Sequence, residues 1–115
     1  MEPYVQRKTR SAVRLGKEGQ PVRRVLDIEL TERCNNNCAH CCINLPADDE
    51  SAMARELSTE EFTGILREAA SLSHLAVRFT GGEPLLRNDF VDLYLTARQL
   101  GMDVLLFTNA TLITP

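Results

Sequence analysis

The chain has 115 residues, a length that fits one ordinary domain, and 43% of them are hydrophobic, a globular mixture. No apolar run approaches the ~18 residues of a membrane span, MEPYVQRKTR carries no secretory h-region, and 5% aromatic content without Trp argues against a base-stacking nucleic-acid platform. The net charge of −3 hides an asymmetry: residues 1–24 hold 7 basic and 2 acidic side chains, residues 25–115 hold 6 and 14. Residues 1–24 therefore read as a basic N-terminal extension, either a solvated tail or an arm for an acidic partner.

In chain order, the first predicted element is a strand over Val25–Thr31. Leu26, Ile28 and Leu30 alternate with Asp27, Glu29 and Thr31. A loop with all four cysteines follows, and the polar residues 44–56 read as more loop. Ser58 and Glu61 form a capping box, Leu57 and Phe62 can form its hydrophobic staple, and Phe62, Ile65, Leu66, Ala69 and Leu72 make one apolar helical stripe. LAVRFT, residues 75–80, predicts a second strand ending at Gly81-Gly82. Asn88 is placed to cap a second helix that runs to Leu100, with Gly101 as its C′ stop. DVLLFT, residues 103–108, is a near-continuous apolar run, expected of a strand buried on both faces.

The order β-α-β-α-β predicts a parallel sheet with right-handed crossovers. The cysteine loop, GGEP and Thr108-Asn109 then all fall at the C-terminal ends of parallel strands, where α/β folds build their sites.

Cys34, Cys38, Cys41 and Cys42 lie within nine residues. Disulfides inside so tight a cluster would close tiny, strained loops, so the pattern reads as reduced thiols holding a metal, in a reducing, cytoplasmic compartment. Structural zinc wants two separated cysteine pairs, and only one cluster is present. His40 and Cys42 could complete a zinc site, although neighbours rarely point at one ion. His74, far along the chain, reads as a surface or packing residue. Three thiolates with a vacant fourth position suit an iron–sulfur cube with one open iron.

CNNNCAHC after a first strand, with Gly81-Gly82-Glu83-Pro84 about 40 residues on, resembles the signature of the radical S-adenosylmethionine (SAM) superfamily. ELTERCNNNCAHC, FTGGEPLLR and LLFTNATLI resemble its peptide-maturing and cofactor-building branch, whose members often carry a SPASM-type domain. The resemblance covers residues 25–112 and implies the first half of a partial (β/α)6, TIM-like barrel, so residues 25–115 read as a truncated radical SAM core domain. It implies that Cys34, Cys38 and Cys41 ligate a [4Fe–4S] cluster whose fourth iron chelates SAM. It also implies that Glu83 and the Gly81, Gly82 and Pro84 backbone receive the SAM amino group, and that His40 stands near the adenine. Asn109 either reaches the cofactor or ends a strand, and Ala110 stands where the family usually has Gly. Cys42 lies outside the motif and reads as a small hydrophobe.

The function so implied is reductive cleavage of SAM to a 5′-deoxyadenosyl radical that abstracts hydrogen from a substrate, a peptide or a cofactor precursor. An electron donor such as flavodoxin or ferredoxin would serve it. The chain by itself is expected to bind a cluster weakly and not to turn over substrate. The competing class is a non-catalytic module, a half-barrel holding zinc or an inert cluster and completed by a partner chain. Metal content separates the two.

Overall fold

A computed structural model describes residues 24–43 and 45–115. The expectation for the basic extension falls, apart from Arg24, outside the described residues. The elements are β1 (Val25–Glu29), β2 (Arg33–Cys34), β3 (Leu45–Pro46), α1 (Glu50–Arg55), α2 (Thr59–Ser71), β4 (Ala76–Thr80), α3 (Phe90–Gln99) and β5 (Asp103–Leu106). A short 3-10 turn covers Pro84–Leu86.

β1, β4 and β5 form a three-stranded sheet with β4 in the centre and both pairings parallel, in the registers Asp27↔Arg78 and Arg78↔Leu105. This is the parallel α/β arrangement of a partial barrel, with each long crossover running through a helix. The period-two pattern decides which face is covered. Ile28, Leu30, Val77 and Phe79 join Phe62, Leu66 and Ala69 of α2 and Leu93 and Ala97 of α3 in one buried cluster. Phe79 meets Phe90 edge to face at 5.9 Å.

The other face of the sheet is open. Val25, Asp27, Glu29, Leu105 and Phe107 are exposed there, and Phe107 retains 55% of its accessible surface. Arg78 lies across this face with Nη1 3.3 Å from Asp27 Oδ1 and its guanidinium 5.0 Å over the Phe107 ring. β5 is thus covered on one face only, alternating exposed and half-buried residues rather than being buried on both.

The capping box at α2 is present as expected: Ser58 Oγ accepts from the Glu61 N–H and a Glu61 carboxylate oxygen accepts from the Ser58 N–H, at 3.2 and 2.8 Å. Leu57 stays exposed, and the Phe62 ring is covered by the Arg87 guanidinium, 5.0 Å from its centre. Both long helices end in Schellman turns. His74 N–H donates to Ala69 O and Met102 N–H to Ala97 O, each at 3.0 Å. The left-handed residue of the second turn is Gly101, as expected, while that of the first is Ser73 at φ +67°. His74 is a packing residue: its Nδ1 lies 3.0 Å from Ala69 O.

Three local expectations are corrected. Residues 44–56 are not all loop, because Asp49 caps α1 by accepting from the Ala52 N–H at 2.7 Å, and β3 pairs with β2 in parallel. Asn88 is exposed and does not cap α3. Asp89 holds the cap position, but its carboxylate makes no cap bond and is drawn to Arg87 at 2.7 Å. Cys42 is exposed rather than packed as a small hydrophobe.

Candidate functional site

The site is assembled from three loops at the C-terminal ends of β1, β4 and β5. Gly81 and Gly82 bring the first two together. Gly82 N–H donates to Thr31 O at 2.7 Å and Glu83 N–H to Arg33 O at 2.8 Å, so the β4 loop runs against the root of the cysteine loop. The fit is tight enough to demand glycine. A Cβ on Gly82 would sit 2.0 Å from Arg33 O, and one on Gly81, which also has φ +127°, would sit 2.3 Å from Thr31 O. The pair therefore serves the approach of backbone to backbone within the protein.

Glu83 is fully buried, and both of its oxygens are engaged. Oε1 accepts from Leu85 N–H at 3.0 Å and Thr108 Oγ1 at 2.7 Å, and Oε2 accepts from Asn109 N–H at 2.8 Å. A buried carboxylate is tolerated when several donors meet it, and here they come from two segments. Glu83 thus fastens the end of β5 to the turn that Pro84 opens. Asn109 carries the link onward: its Nδ2 donates to Asn35 Oδ1 at 2.8 Å and points toward Cys34 Sγ at 3.9 Å. Thr111 Oγ1 accepts from Asn35 Nδ2 at 2.8 Å. The structure therefore brings Gly81, Gly82, Glu83, Pro84 and Asn109 to one end of the sheet with Cys34.

Cys34 is half-buried at the end of β2, and its sulfur accepts from the Asn36 N–H at 3.4 Å. Cys38 and Cys41 are exposed and joined by a turn, Cys41 N–H donating to Cys38 O at 3.1 Å, with His40 exposed inside it. All four cysteines are free thiols. A cleft of about 440 Å³ lies beside Cys34, lined by Asn35, Asn36, Asn37 and Leu45–Ala47. Among the described residues no three metal-ligating side chains yet surround one point. The donor set nonetheless fits an iron–sulfur cluster. Three soft thiols sit on one loop, two are reachable without disturbing the core, and N–H groups face the third sulfur as they do around ligating cysteines.

Sequence reading missed the charged network behind these loops. Arg33 and Arg87, both nearly buried, converge on Glu56 with closest contacts of 2.7 and 3.4 Å, and Arg87 also pairs with Asp89. Burial works to raise the Glu56 pKa, but hydrogen bonds from Arg33 and Thr31 and the charge of both arginines outweigh it, and the net direction is down. The hydrogen bond from Arg87 leads in holding the Asp89 carboxyl below its usual range. A signal was present: Arg33 immediately precedes Cys34, and Arg87 closely follows Pro84.

The sequence model of the Radical SAM superfamily matches residues 28–115. The chain is 39% identical over 92 residues to an AdoMet-dependent heme synthase of Methanosarcina barkeri, covering 80% of this chain and 26% of that protein. It is 40% identical over 85 residues to a PqqA peptide cyclase of Gluconobacter oxydans, covering 74% of this chain and 23% of that one. An Fe-coproporphyrin III synthase of Methanosarcina barkeri is 38% identical over 84 residues, 73% of this chain and 20% of its own length. The chain belongs to the radical SAM superfamily. Within it, these relatives fall in the peptide-maturing and cofactor-building branch that the motifs resemble, and the chain spans about a quarter of their length or less.

Proposed function

We propose that residues 25–115 form the cofactor-binding end of a radical SAM core, in an enzyme that modifies a peptide or a cofactor precursor. Cys34, Cys38 and Cys41 would hold a [4Fe–4S] cluster, and Gly81–Pro84, His40 and Asn109 would line the place of SAM. When bound, cluster and SAM supply one-electron reductive cleavage and a carbon radical able to take hydrogen from a substrate. The chain's own residues supply position. Three donors hold Glu83, so it fixes the Gly81–Pro84 backbone, whose carbonyls are acceptors for an ammonium group, and its Oε2, with one bond, keeps a further acceptor site. Asn109 holds the cysteine loop through Asn35 and presents an N–H toward the Cys34 sulfur. The names of the relatives support a substrate of peptide or tetrapyrrole type, the chemistry supports an electron donor such as flavodoxin or ferredoxin, and the clustered cysteines support a reducing, cytoplasmic setting. No helix among the described residues is long and apolar enough to cross a membrane.

The observation that carries this reading is the convergence of three strand-end loops, joined through Gly82, Glu83 and Asn109, upon Cys34. Anaerobic reconstitution with iron and sulfide, followed by EPR of the reduced chain with and without SAM, tests it. With iron and sulfide in excess over a weak site, the expected result is about four irons per chain, as the cluster stoichiometry requires, and a signal that SAM changes. Cys38→Ala should abolish both. Zinc bound in place of iron would move the assignment to a non-catalytic half-barrel module.

A further inference from the structure

Glu56 belongs to neither loop of the cofactor site, yet it is bonded to both. It follows α1, and only 14% of its side chain is exposed, against 10% for Arg33 and 7% for Arg87. Arg33 grips it with two nitrogens, Nε to Oε1 at 2.7 Å and Nη2 to Oε2 at 3.3 Å, while Arg87 Nη1 reaches Oε2 at 3.4 Å. Thr31 Oγ1 donates to Oε1 as well.

Each arginine is in turn fastened to its surroundings. Arg33 Nη1 donates to Ala47 O at 2.8 Å, which ties down the far side of the cysteine loop. Arg87 donates to Leu30 O at 3.3 Å and Leu57 O at 3.0 Å. Arg87 also closes the turn that Pro84 opens, its N–H donating to Pro84 O at 3.2 Å. One carboxylate thus spans the root of the cysteine loop, one residue before Cys34, and the end of the GGEP turn.

Two features separate this from a surface ion pair. The groups are largely desolvated, so charge-assisted bonds here are directional and strong, and removing one partner leaves buried charge uncompensated. Besides the bond from Arg87 to Leu30 O, the direct bonds described above between the two loops are two backbone ones, Gly82 to Thr31 and Glu83 to Arg33. Glu56 reinforces that contact from behind, at Thr31 and Arg33 on one loop and at Arg87 on the other.

We propose that Glu56 is a positioning residue for the cofactor site, a clamp that fixes the cysteine-loop root against the GGEP turn through Arg33 and Arg87. The clamp rests on the proposed radical SAM reading only for what the two loops hold. Its test is amide hydrogen exchange on the chain without metal, comparing the unsubstituted protein with Glu56→Gln, which keeps the shape and removes the charge. The Phe79 amide, on the central strand, reports overall unfolding. The expected result is that Gly82 and Glu83 amides exchange about tenfold faster than any change at Phe79 accounts for, equivalent to about 1.4 kcal/mol of local opening. Equal acceleration at all three amides would reduce Glu56 to a general stabiliser and overturn the clamp, as would no change at Gly82 and Glu83. In the reconstituted chain, Glu56→Gln should keep its iron content while its affinity for SAM falls about tenfold, and unaltered affinity would also overturn the clamp. Failure of the unsubstituted chain to take up iron would overturn the cofactor reading, while the exchange comparison still decides the clamp.

Discussion

Between Cys34 and Cys42 nearly every side chain is exposed, and contacts there include the Cys38–Cys41 turn, the Asn36 N–H on Cys34 Sγ and the bonds of Asn35. Between Gly81 and Arg87 the reverse holds. Glu83 and Pro84 are buried, Glu83 meets three donors, and the two glycines lie against backbone. The two segments meet at the same strand ends but use their residues differently. The cysteine loop has little packing to satisfy, which leaves its side chains available to a ligand. In the GGEP segment identity is set by steric fit and hydrogen bonding inside the protein. Stability and cofactor binding should therefore respond to substitution in opposite places.

The largest expected effect is at Gly82. Replacing it by Ala puts a Cβ 2.0 Å from Arg33 O, a backbone atom that no rotamer change can move. The loops must separate, and Gly82→Ala should lose at least about 3 kcal/mol in urea unfolding, at the upper end of overpacking costs. Cys38→Ala, at an exposed position of the other segment, should stay within about 0.5 kcal/mol of the unsubstituted chain without metal. Equal stability for the two variants would erase the distinction between the segments.

A smaller effect comes from acid. Glu56 and Asp89 both titrate below their ordinary values of 4.5 and 3.8, so the folded chain binds their protons less readily than the unfolded chain does. Their contribution to stability is complete above those ordinary values and is lost as pH falls through the lower folded ones. The urea midpoint should therefore drop on going below 4.5, and Glu56→Gln combined with Asp89→Asn should flatten that drop. Asp103→Asn, at a carboxylate 85% exposed beside Arg98, should leave the acid dependence as it is. An equal flattening by Asp103→Asn would show that the acid response is not specific to the Arg33–Glu56–Arg87–Asp89 network.

What could be read from the sequence divides along similar lines. β1, α2, β4, α3 and β5 were visible because each carries a local signal: alternation at Leu26–Leu30, a capping box at Ser58, a left-handed stop at Gly101. α1 was not, because six residues are too few to display a helical period and its start depends on one bond from Asp49. β2 and β3 are two residues each and exist through long-range pairing. That the Asp89 carboxylate makes no cap bond follows from Arg87, whose competition no propensity expresses. At the candidate site, the motif letters marked the segments, but two of the three partners of Glu83 lie 25 and 26 positions away and those of Glu56 as many as 31. The resemblance turned Glu83 toward a ligand, and the bonds to Leu85, Thr108 and Asn109 that also hold its carboxylate had no signal in the motif.

The smallest effect tests the third loop, where the two segments are joined. Ala110 has φ +63°, the left-handed region, at the place where the resembled family usually has Gly. The turn holds it there: Ala110 N–H donates to Thr108 Oγ1 at 3.0 Å, and its carbonyl accepts from Ile113 N–H at 3.2 Å. A residue with a Cβ loses roughly 1–2 kcal/mol in that conformation. Glycine escapes the penalty but gives part of it back through the greater freedom of the unfolded chain. Ala110→Gly should therefore stabilise the chain by about 0.5–1 kcal/mol in urea unfolding. Ser73→Gly, at the left-handed end of α2 with φ +67°, supplies the control, since it relieves the same strain far from the site. A gain at Ser73 without one at Ala110 would mean that the Thr108–Thr111 turn relaxes out of the left-handed conformation in solution. Asn109 would then hold Asn35 less firmly than its 2.8 Å bond implies, and the order of the cysteine loop would depend on the Arg33–Glu56 clamp rather than on β5.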